Sequence, residues 1–292
     1  MLATVVREPF DRPGWIYEEK YDGYRVLAYK EGANVHLFSR NAIDRSVRFA
    51  RVTAAVKAQR PKTLLLDGEV VIFDKKNVSK FQLLQRATAD SIFVVFDCLY
   101  LNGKDLRKQP LSARRAALEK AVTPSEHLML SQQVERNGIA AYKTAARKGL
   151  EGIIAKDLSS PYVESRSPYW LKVKAHRQDE FVIGGFTKPE GSRKHFGALL
   201  IGAYVDGNLY YLGKVGTGFD EAGLASLAKK LKPLLTKQSP FFDWPRDKNA
   251  TFVRPKLVAQ ISYQELTEDR RLRQPVFLGL RDDKSEKDVE MP

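Results

Sequence analysis

The residues best suited to covalent chemistry lie near the start of the chain, where Lys20 stands between two acids and an Asp-Gly pair. The run reads Glu18-Glu19-Lys20-Tyr21-Asp22-Gly23-Tyr24-Arg25. Apolar residues on both sides predict two short strands, and Asp-Gly favours a turn between them. A nucleophilic lysine needs such a setting, because rigid backbone, partial desolvation and nearby cations depress its pKa. A solvated hairpin lysine is the alternative interpretation of so short a motif.

Two further segments place acids beside apolar strands. Asp67-Gly68-Glu69 interrupts one strand, and Glu151 and Lys156 stand at the two ends of another. A buried acid is costly unless a cation, a ligand or a metal compensates it. The Asp-Gly-Glu run therefore indicates either a ligand site or a bulge with a salt-bridged glutamate.

A late strand carries a pair of lysines. In Tyr169-Trp170-Leu171-Lys172-Val173-Lys174 the alternation predicts that Lys172 and Lys174 point to one face and that Leu171 and Val173 point to the other. Like charges on one face repel each other, so the pattern indicates an anion between them. A solvated edge strand is the alternative.

The charge of the 292-residue chain indicates a polyanionic partner. Lysine and arginine number 49 against 35 acidic residues, for a formal net charge of +14, and a folded enzyme this basic usually meets nucleic acid. Excess charge for solubility is the alternative. We find no basic amphipathic helix, no apolar run of about 18 residues and no signal peptide, so no membrane partner is expected.

Zinc and thiol chemistry are not expected. The four histidines, at positions 36, 127, 176 and 195, lack the spacing of zinc ligands. Cys98 is the only cysteine; it permits no internal disulfide, and its apolar strand predicts a core residue.

The first 176 residues alternate predicted strands and helices. The predicted strands are residues 35–39, 63–73, 92–99 and 152–155. One helix is expected at 111–122 with Ser112 as its N-cap, and another at 138–148, ended by Gly149. The tandem arginines Arg114-Arg115 are interpreted as a solvated helix face.

The pattern changes near His176, which predicts a boundary between a domain of residues 1–176 and a domain of residues 177–292. Strands are expected at 181–186, 198–205, 209–215 and 258–266, a hairpin turn at 206–208 and a helix at 221–235. Several strands with one helix suit a small β-barrel of the OB type. The polar segment Lys174–Asp179 is interpreted as a hinge.

Taken in order, these segments resemble the superfamily of ATP-dependent DNA ligases, RNA ligases and mRNA capping enzymes. The signature Lys-x-Asp-Gly-x-Arg is met by Lys20 to Arg25. The matching segments that follow are Ser39-Arg40-Asn41, Asp67-Gly68-Glu69, Phe96-Asp97, Glu151-Gly152 with Lys156, Leu171 to Lys174, and Arg270 to Lys284. Among these families the chain is most similar to the ligase module of bacterial non-homologous end-joining proteins, as in its opening Met-Leu-Ala-Thr and in Leu272 to Arg281. The resemblance implies an α+β fold, with a nucleotidyltransferase domain of antiparallel sheets and flanking helices followed by a C-terminal OB-fold barrel.

The resemblance also implies site residues. Lys20 would carry AMP, with Lys172 and Lys174 at its phosphate and Glu151, joined by Glu69, as metal ligand. Arg25 and Glu69 would hold the ribose, Phe96 would stack on the adenine unless it is an ordinary core residue, and Glu18 would read the adenine amino group. Arg281 and Lys284 would close over the pyrophosphate. Arg40 would bind the nucleotide as well, and contacts with DNA are expected from Arg40, Arg270, Arg271 and Arg273.

The implied reaction seals nicked duplex DNA in break repair, with ATP and Mg²⁺ (Mn²⁺ as an alternative) as cofactors. The expected setting is a monomer in the bacterial cytoplasm, at the nucleoid, with a DNA end-binding protein or other repair modules as partners. Two alternatives are enzymes, an RNA ligase and a GTP-using capping enzyme. A third is a basic OB-type binding module without activity, which the presence of Lys20 with its acids and lysines disfavours.

Overall fold

The chain divides into two units, Met1–His176 and Arg177–Pro292. The computed structural model describes residues 1–86, 88–189, 194–245 and 247–291. In these residues no helix is long and apolar enough to cross a bilayer.

The first unit is built from two sheets with helices packed against them. Its strands are β1 (Leu2–Val5), β2 (Trp15–Glu19), β3 (Tyr24–Glu31), β4 (Asn34–Ser39), β5 (Thr63–Val71), β6 (Ile92–Leu101), β7 (Lys104–Asp105), β8 (Leu128–Leu130), β9 (Gln133–Glu135), β10 (Gly152–Asp157) and β11 (Arg166–Lys174). Its helices are α1 (Ala50–Lys57), α2 (Phe81–Arg86), α3 (Leu111–Ala121) and α4 (Gly138–Lys148). One sheet has the order β1-β11-β10-β2-β9; the other has the order β4-β3-β5-β6-β7, with β8 beside β6. The segment that contains Lys20 therefore connects one sheet to the other.

The core of the second of these sheets follows from the apolar pattern of its strands. Tyr24, Val26 and Ala28 alternate along β3 and are buried. Strand β6 is buried on both faces along most of its length, as its almost wholly apolar sequence predicts. Cys98 lies in this core, and burial raises the pKa of its thiol to about 12, so the prediction of a core cysteine is confirmed.

Helix α4 covers one face of the other sheet. Ala141 and Ala145 of the helix share a core with Tyr17 of β2, Ile153 of β10 and Val173 of β11. This packing leaves the opposite face of β2, β10 and β11 for the charged side chains.

The ends of α4 are fixed as the sequence predicts. The side-chain oxygen of Asn137 accepts a hydrogen bond from the N–H of Ala140 (3.0 Å) at the start. Gly149 ends the helix with a φ of 74°, a left-handed conformation that glycine adopts without strain.

The predicted N-cap of α3 is wrong. The N-cap is Pro110, without a side-chain hydrogen bond, and Ser112 lies inside the first turn. The N–H groups of Leu111 and Ser112 donate to the carbonyls of Ser160 and Leu158, each at 2.9 Å. Because distant backbone satisfies these donors, no capping side chain is needed.

The second unit is mainly a sheet around a large apolar core. Its strands are β12 (Gln178–Thr187), β13 (Leu199–Val205), β14 (Asn208–Val215), β15 (Leu235–Thr236), β16 (Ala250–Ser262), β17 (Glu265–Leu266), β18 (Leu272–Arg273) and β19 (Val276–Leu280), and its α-helix is α5 (Glu221–Leu231). The main sheet has the order β14-β13-β12-β16-β15, with β19 beside β16. This order is an open path through the described strands, and β17 pairs with β18 apart from it.

The predicted hairpin between β13 and β14 is confirmed. Asp206 and Gly207 form its two-residue turn, with φ values of 48° and 80°, as Asp-Gly favours. Three predicted bounds are wrong. Helix α5 ends at Leu231 and tightens into a 3₁₀ turn that contains Pro233, whose ring interrupts helical hydrogen bonding. Strand β16 runs from Ala250 to Ser262 rather than from 258 to 266. β12 pairs with residues 250–252 and 257–262 of this strand, and the register shifts between the two segments.

Candidate active site

Lys20 directly follows β2 and is held by backbone on one side and by an acid on the other. Its N–H donates to the carbonyl of Gly152 (3.0 Å), which continues the pairing of β2 with β10. Its ammonium group forms an ion pair with the Glu151 carboxylate. About a fifth of the side chain is exposed (21%), so the amine is positioned yet accessible. This setting disfavours the solvated hairpin lysine.

Asp22 and Gly23 hold the segment after Lys20 against the other sheet. The N–H of Asp22 donates to Ser79 Oγ (3.0 Å), and its carboxylate accepts the N–H of Phe81 (3.3 Å). A Cβ at Gly23 would lie 2.2 Å from the carbonyl oxygen of Val70. The glycine is therefore required by the close approach of two strands, and not by a left-handed turn.

Glu151 is a buried acid, and one of its two carboxylate oxygens has no hydrogen-bond partner among the described residues. Oε1 accepts from Lys20, whereas Oε2 is buried without a hydrogen-bond partner in the described part of the chain. Burial raises the pKa of Glu151, and the charges of Lys20 and Lys174 oppose that rise. Gly152 permits this geometry, because a Cβ there would lie 2.2 Å from the carbonyl oxygen of Val173.

Lys172 and Lys174 lie on the face that α4 leaves open. Across β10 and β11, Lys172 stands opposite Ile154 and Lys174 opposite Gly152. Val173, between them, is buried in the core under α4. The predicted separation of the two faces of this strand is confirmed.

An aromatic corner with a buried cation lies farther along the same strands. The rings of Phe96 and Trp170 meet edge to face, with centroids 5.7 Å apart. Lys156 Nζ lies 4.3 Å from each centroid, a distance at which the ring quadrupole attracts a cation. Trp170 Nε1 is buried with no hydrogen-bond partner among the described residues. Both rings are buried in one cluster with Met1, so the corner combines packed aromatic rings with a buried cation and a buried indole N–H.

Glu18 is buried beside this corner and holds two cations. Only 1% of the residue is exposed. Its Oε2 accepts from Lys156 Nζ (2.6 Å), and its Oε1 forms an ion pair with Arg115 of α3. Burial lowers the pKa of Lys156, and the Glu18 carboxylate opposes that change.

The interpretation of Arg114-Arg115 as a solvated helix face is wrong. Arg114 is fully buried, and its Nε and Nη2 donate to the two oxygens of Asp97, each at 2.8 Å. Arg115 reaches Glu18, which is 97 residues away in sequence. Local pattern gave no signal for either contact, because both acids lie on other elements.

Arg25 is fixed mainly by Asp67 and not by Glu69. Its Nε and Nη2 donate to the Asp67 carboxylate at 3.0 and 2.6 Å, and Tyr162 Oη donates to the same carboxylate at 2.8 Å. Glu69 stands directly opposite Arg25 across β3 and β5. The pair predicted to hold a ribose is therefore adjacent, while Asp67 orients the guanidinium group.

Arg40 lies just beyond β4 at the edge of a cavity of about 460 Å³. Arg25, Arg107 and Tyr162 also line this cavity. Arg25 is paired with Asp67, and Arg107 is paired with Glu164, which also lines the cavity. A phosphate group there would compete with these carboxylates for the arginines.

The acids of the first unit fit a magnesium ion only with help from a substrate. In the described residues no three acidic, histidine or cysteine side chains cluster as a ready metal site. Mg²⁺, however, commonly uses one or two carboxylates together with substrate phosphates. The unpartnered Oε2 of Glu151 fits this kind of incomplete site.

The cations predicted in the second unit are engaged with neighbours of that unit. Arg281 donates to both oxygens of Asp283 (2.8 and 2.7 Å), and Lys284 Nζ donates to Glu180 (2.6 Å). Arg273 donates to Glu265 (2.7 Å), and the Arg271 guanidinium lies over Tyr211 at 4.9 Å from its centroid. Arg270 occupies the turn between β17 and β18 with a φ of 56°.

Two family models of ATP-dependent DNA ligases match this chain. The ATP dependent DNA ligase domain matches residues 1–174, and the ATP dependent DNA ligase C terminal region matches residues 192–284. The first match covers the residues around Lys20, and the second covers Arg281 and Lys284.

Curated relatives are similar over nearly the whole chain. The multifunctional non-homologous end joining protein LigD of Pseudomonas aeruginosa is 37% identical over 99% of this chain, which spans 36% of that protein. A DNA ligase of Thermococcus fumicolans is 33% identical over 94% of this chain, which spans 53% of that protein. The chain thus corresponds to between about a third and a half of these relatives.

A solved structure of mycobacterial DNA ligase D complexed with ATP and MES is similar in fold. It shares 33% sequence identity and a TM-score of 0.71, and the match covers 100% of this chain and 98% of the solved one. The ligase domain of M. tuberculosis LigD gives 34% identity and a TM-score of 0.53, over 99% of this chain and 97% of that one. The predicted α+β fold, a nucleotidyltransferase domain followed by an OB-type domain, is confirmed by these matches.

Proposed function

This chain belongs to the ATP-dependent DNA ligase family, and we propose that it joins a 5′-phosphate to a 3′-hydroxyl at nicks in duplex DNA. The observation that carries the proposal is Lys20, an accessible amine paired with a buried glutamate. Lys172 and Lys174 lie on neighbouring β11, on the face that α4 leaves open. Such a set supports phosphoryl chemistry at the amine, for which positioning and fixed positive charge supply most of the catalysis.

The first step transfers AMP from ATP, a substrate of the reaction, to Lys20. The unprotonated Nζ attacks the α-phosphorus, an N–P bond forms, the bond to the bridging oxygen breaks, and pyrophosphate leaves. Negative charge gathers on the non-bridging oxygens, where Lys172 and Lys174 stabilise it. The charges of Lys172 and Lys174 also favour the neutral amine of Lys20, whose proton passes to solvent, since its side chain is 21% exposed.

The next two steps transfer AMP from Lys20 to the DNA 5′-phosphate and then seal the strand. An oxygen of the 5′-phosphate attacks the phosphorus of lysyl-AMP, which frees Lys20 and gives a DNA adenylate. The 3′-hydroxyl then attacks the 5′-phosphorus, loses its proton and releases AMP. Arg40, which lines the cavity together with Arg25 and Arg107, contacts the nick phosphate in these steps.

The adenosine part of ATP fits the corner at Phe96. The base stacks on Phe96, Glu18 accepts a hydrogen bond from its 6-amino group, and Lys156 donates to its N1. Support comes from the aromatic pair Phe96–Trp170 and from the Glu18–Lys156 pair beside it (2.6 Å). Arg25 and Glu69 hold the ribose.

Glu151 and Glu69 would hold Mg²⁺, with Mn²⁺ as an alternative. The ion would neutralise phosphate charge when it is bound. Hard carboxylate oxygens suit either ion.

The second unit supplies cations that act in different steps. Arg281 and Lys284 close over the pyrophosphate during the first step, which requires them to exchange Asp283 and Glu180 for phosphate oxygens. Arg270, Arg271 and Arg273 contact the DNA backbone. Lys174–Asp179 is the hinge between domains of residues 1–176 and 177–292.

We place this activity in DNA break repair in the bacterial cytoplasm, at the nucleoid. The similarity to LigD proteins supports this setting. The proposed partners are nicked duplex DNA, together with a DNA end-binding protein or other repair modules, and the proposed active form is a monomer.

The test is covalent labelling. The protein is incubated with Mg²⁺ and ATP or GTP labelled at the α-phosphate, and protein-bound label is measured. We expect label from ATP only, and Lys20→Ala should abolish it. Lys57→Ala, which removes an exposed lysine of α1, is the matched control and should label normally.

Sealing of nicked substrates completes the test. We expect the wild-type protein to seal a nicked DNA duplex and not a nicked RNA strand. Label from GTP alone would indicate a capping enzyme, and sealing of RNA alone would indicate an RNA ligase. Absence of label from both nucleotides would contradict an enzymatic function.

A further inference from the structure

Two consecutive arginines of helix α3 pair with two different acids. Arg114 is buried and is fixed by Asp97 and by the carbonyls of Gln109 (2.7 Å) and Ser160 (2.8 Å). Arg115 instead forms an ion pair with Glu18. Because Arg114 locks the helix in place, the backbone from which Arg115 extends is also fixed.

The Glu18 carboxylate is shared between two cations, one on each oxygen. Oε2 accepts from Lys156, and Oε1 pairs with Arg115. The carboxylate cannot rotate without breaking one of these contacts in a site where only 1% of the residue is exposed, and an unpaired charge there would be costly. Arg115 itself is 19% exposed in its side chain, so it lies at the rim of this arrangement.

We propose that Arg115 is a positioning residue for nucleotide selection, which holds the Glu18 carboxylate in the one orientation that accepts a hydrogen bond from the 6-amino group of adenine. The inference rests on the proposed role of Glu18 in reading that amino group. Arg115 does not touch the base; it acts through Glu18.

The chemistry of the two groups explains why orientation matters. A carboxylate only accepts hydrogen bonds, and Lys156 only donates. Side by side they match adenine, which offers a donor at its 6-amino group and an acceptor at N1. Without Arg115 the carboxylate is free to turn fully towards Lys156, and the acceptor for the 6-amino group is lost.

The test compares ATP with purine riboside triphosphate, which has the same ring and N1 but lacks the 6-amino group. The rate of lysine nucleotidylylation is measured for both substrates, and kcat/KM is compared. The wild-type protein should prefer ATP by about 10- to 100-fold, the usual range for one well-placed polar contact to a base. Arg115→Ala should lower kcat/KM for ATP about 10-fold, mostly through KM, and leave that for purine riboside triphosphate within about twofold.

Two further variants control for charge and folding. Lys120→Ala removes an exposed cation from the same helix and should keep the wild-type preference. Arg115→Lys should restore part of the preference, because it returns a cation near Glu18. Melting temperatures of all variants check that the fold is intact.

Two results would overturn the inference in distinguishable ways. Equal losses for both nucleotides in Arg115→Ala, or no loss for either, would show that Arg115 does not act through the 6-amino group. If the wild-type protein uses both nucleotides equally, Glu18 does not read the 6-amino group. The role proposed for Arg115 is then contradicted as well. Loss of the ATP preference in Arg115→Ala alone supports the inference.

Discussion

At the scale of single residues, four largely buried acids of the first unit form ion pairs with cations of the same unit. The ion pairs are Lys20–Glu151, Arg25–Asp67, Lys156–Glu18 and Arg114–Asp97. Such pairing offsets the cost of burying charge. The charges of these pairs therefore balance one another before any ligand is bound.

Glu19 is an acid next to Lys20 whose ionisation weakens the fold. It follows Glu18 on β2, so it faces the other side of the sheet, and Ser79 Oγ donates to it at 3.3 Å. Burial raises the pKa of Glu19 from 4.5 to about 7. The pKa of this carboxyl is thus about 4.5 in the unfolded chain and about 7 in the folded protein. Between these two pH values the free energy of unfolding falls as pH rises, because the carboxyl ionises less readily in the folded protein.

Replacing Glu19 by glutamine should remove this penalty. We expect Glu19→Gln to raise the free energy of unfolding by about 1–2 kcal/mol at pH 8 and to change it little at pH 4.5, because the side chain is partly exposed and the full shift is discounted. Urea denaturation at the two pH values measures the difference. Glu119→Gln, at an exposed position of α3, is the control. A gain of equal size at both pH values would contradict the assignment to ionisation.

The residue scale is also where the sequence was least informative. Lys20, Glu151, Lys172 and Lys174 could be found because each stands at a marked place in a strand pattern. Arg115 could not, because a helical arginine beside another arginine usually faces water. Its partner, Glu18, is distant in sequence, so only the tertiary fold brings the two together.

At the scale of elements, three adjacent strands carry the reactive groups. Strands β2, β10 and β11 are neighbours in one sheet, so Lys20, Glu151 and Lys172 are held on a single hydrogen-bonded frame. Gly152 sets the distance between β10 and β11 where Glu151 enters the site, because a side chain there would meet the backbone of Val173 and Lys174.

Gly152→Ala should therefore impair chemistry through backbone displacement. The added Cβ would lie 2.2 Å from a carbonyl oxygen, which forces β10 and β11 apart. We expect lysine adenylylation to fall by about 100-fold, since a displacement of about 1 Å can cost that much, together with a lower melting temperature.

Gly32→Ala is a useful comparison for this variant. Gly32 has a φ of 57° and no atom within 4 Å of a built Cβ, so the substitution should cost about 1 kcal/mol of stability and leave the rate unchanged. If Gly152→Ala kept the wild-type rate, close packing of β10 and β11 would not be what positions Glu151.

Most elements could be predicted because their apolar periods are strong. The N-cap of α3, the end of α5 and the bounds of β16 could not be predicted. Ser112 resembles a cap in sequence, but the backbone of Ser160 and Leu158 takes its place. Strand β16 extends beyond its apolar part because β12 pairs with residues 250–252 as well as with 257–262, and that pairing is invisible in the sequence of β16 alone.

At the scale of the whole molecule, the ligase family could be predicted because the motifs keep their order across nearly the full chain. No single motif would have sufficed. The assignment of the two domains to separate steps stays a prediction, and Arg281 offers the means to test it.

Arg281→Ala should impair the first step of the reaction, self-adenylylation, and leave the last step, sealing, largely intact. Arg281 belongs to the second unit, where it pairs with Asp283 and lies 3.5 Å from Glu180. We expect self-adenylylation to fall by about 100-fold, because a cation at the pyrophosphate is lost, while sealing of a pre-adenylylated nick stays within about threefold of wild type. Both rates are measured on the same preparation.

Arg281→Lys tests the same point with less damage to the fold. It keeps a positive charge near Asp283 and should show an intermediate defect in the first step only. Equal defects in both steps would contradict a role for Arg281 confined to pyrophosphate.

The contact between Lys20 and Glu151 bears on what happens between turnovers. An ammonium ion has no lone pair, so the resting amine is shielded from the aldehydes and activated acyl compounds that modify free lysines. Loss of the contact with Glu151 would favour the neutral, nucleophilic amine, because the ion pair stabilises the charged form. One proton on Lys20 therefore decides whether the side chain is protected from such modification or able to react.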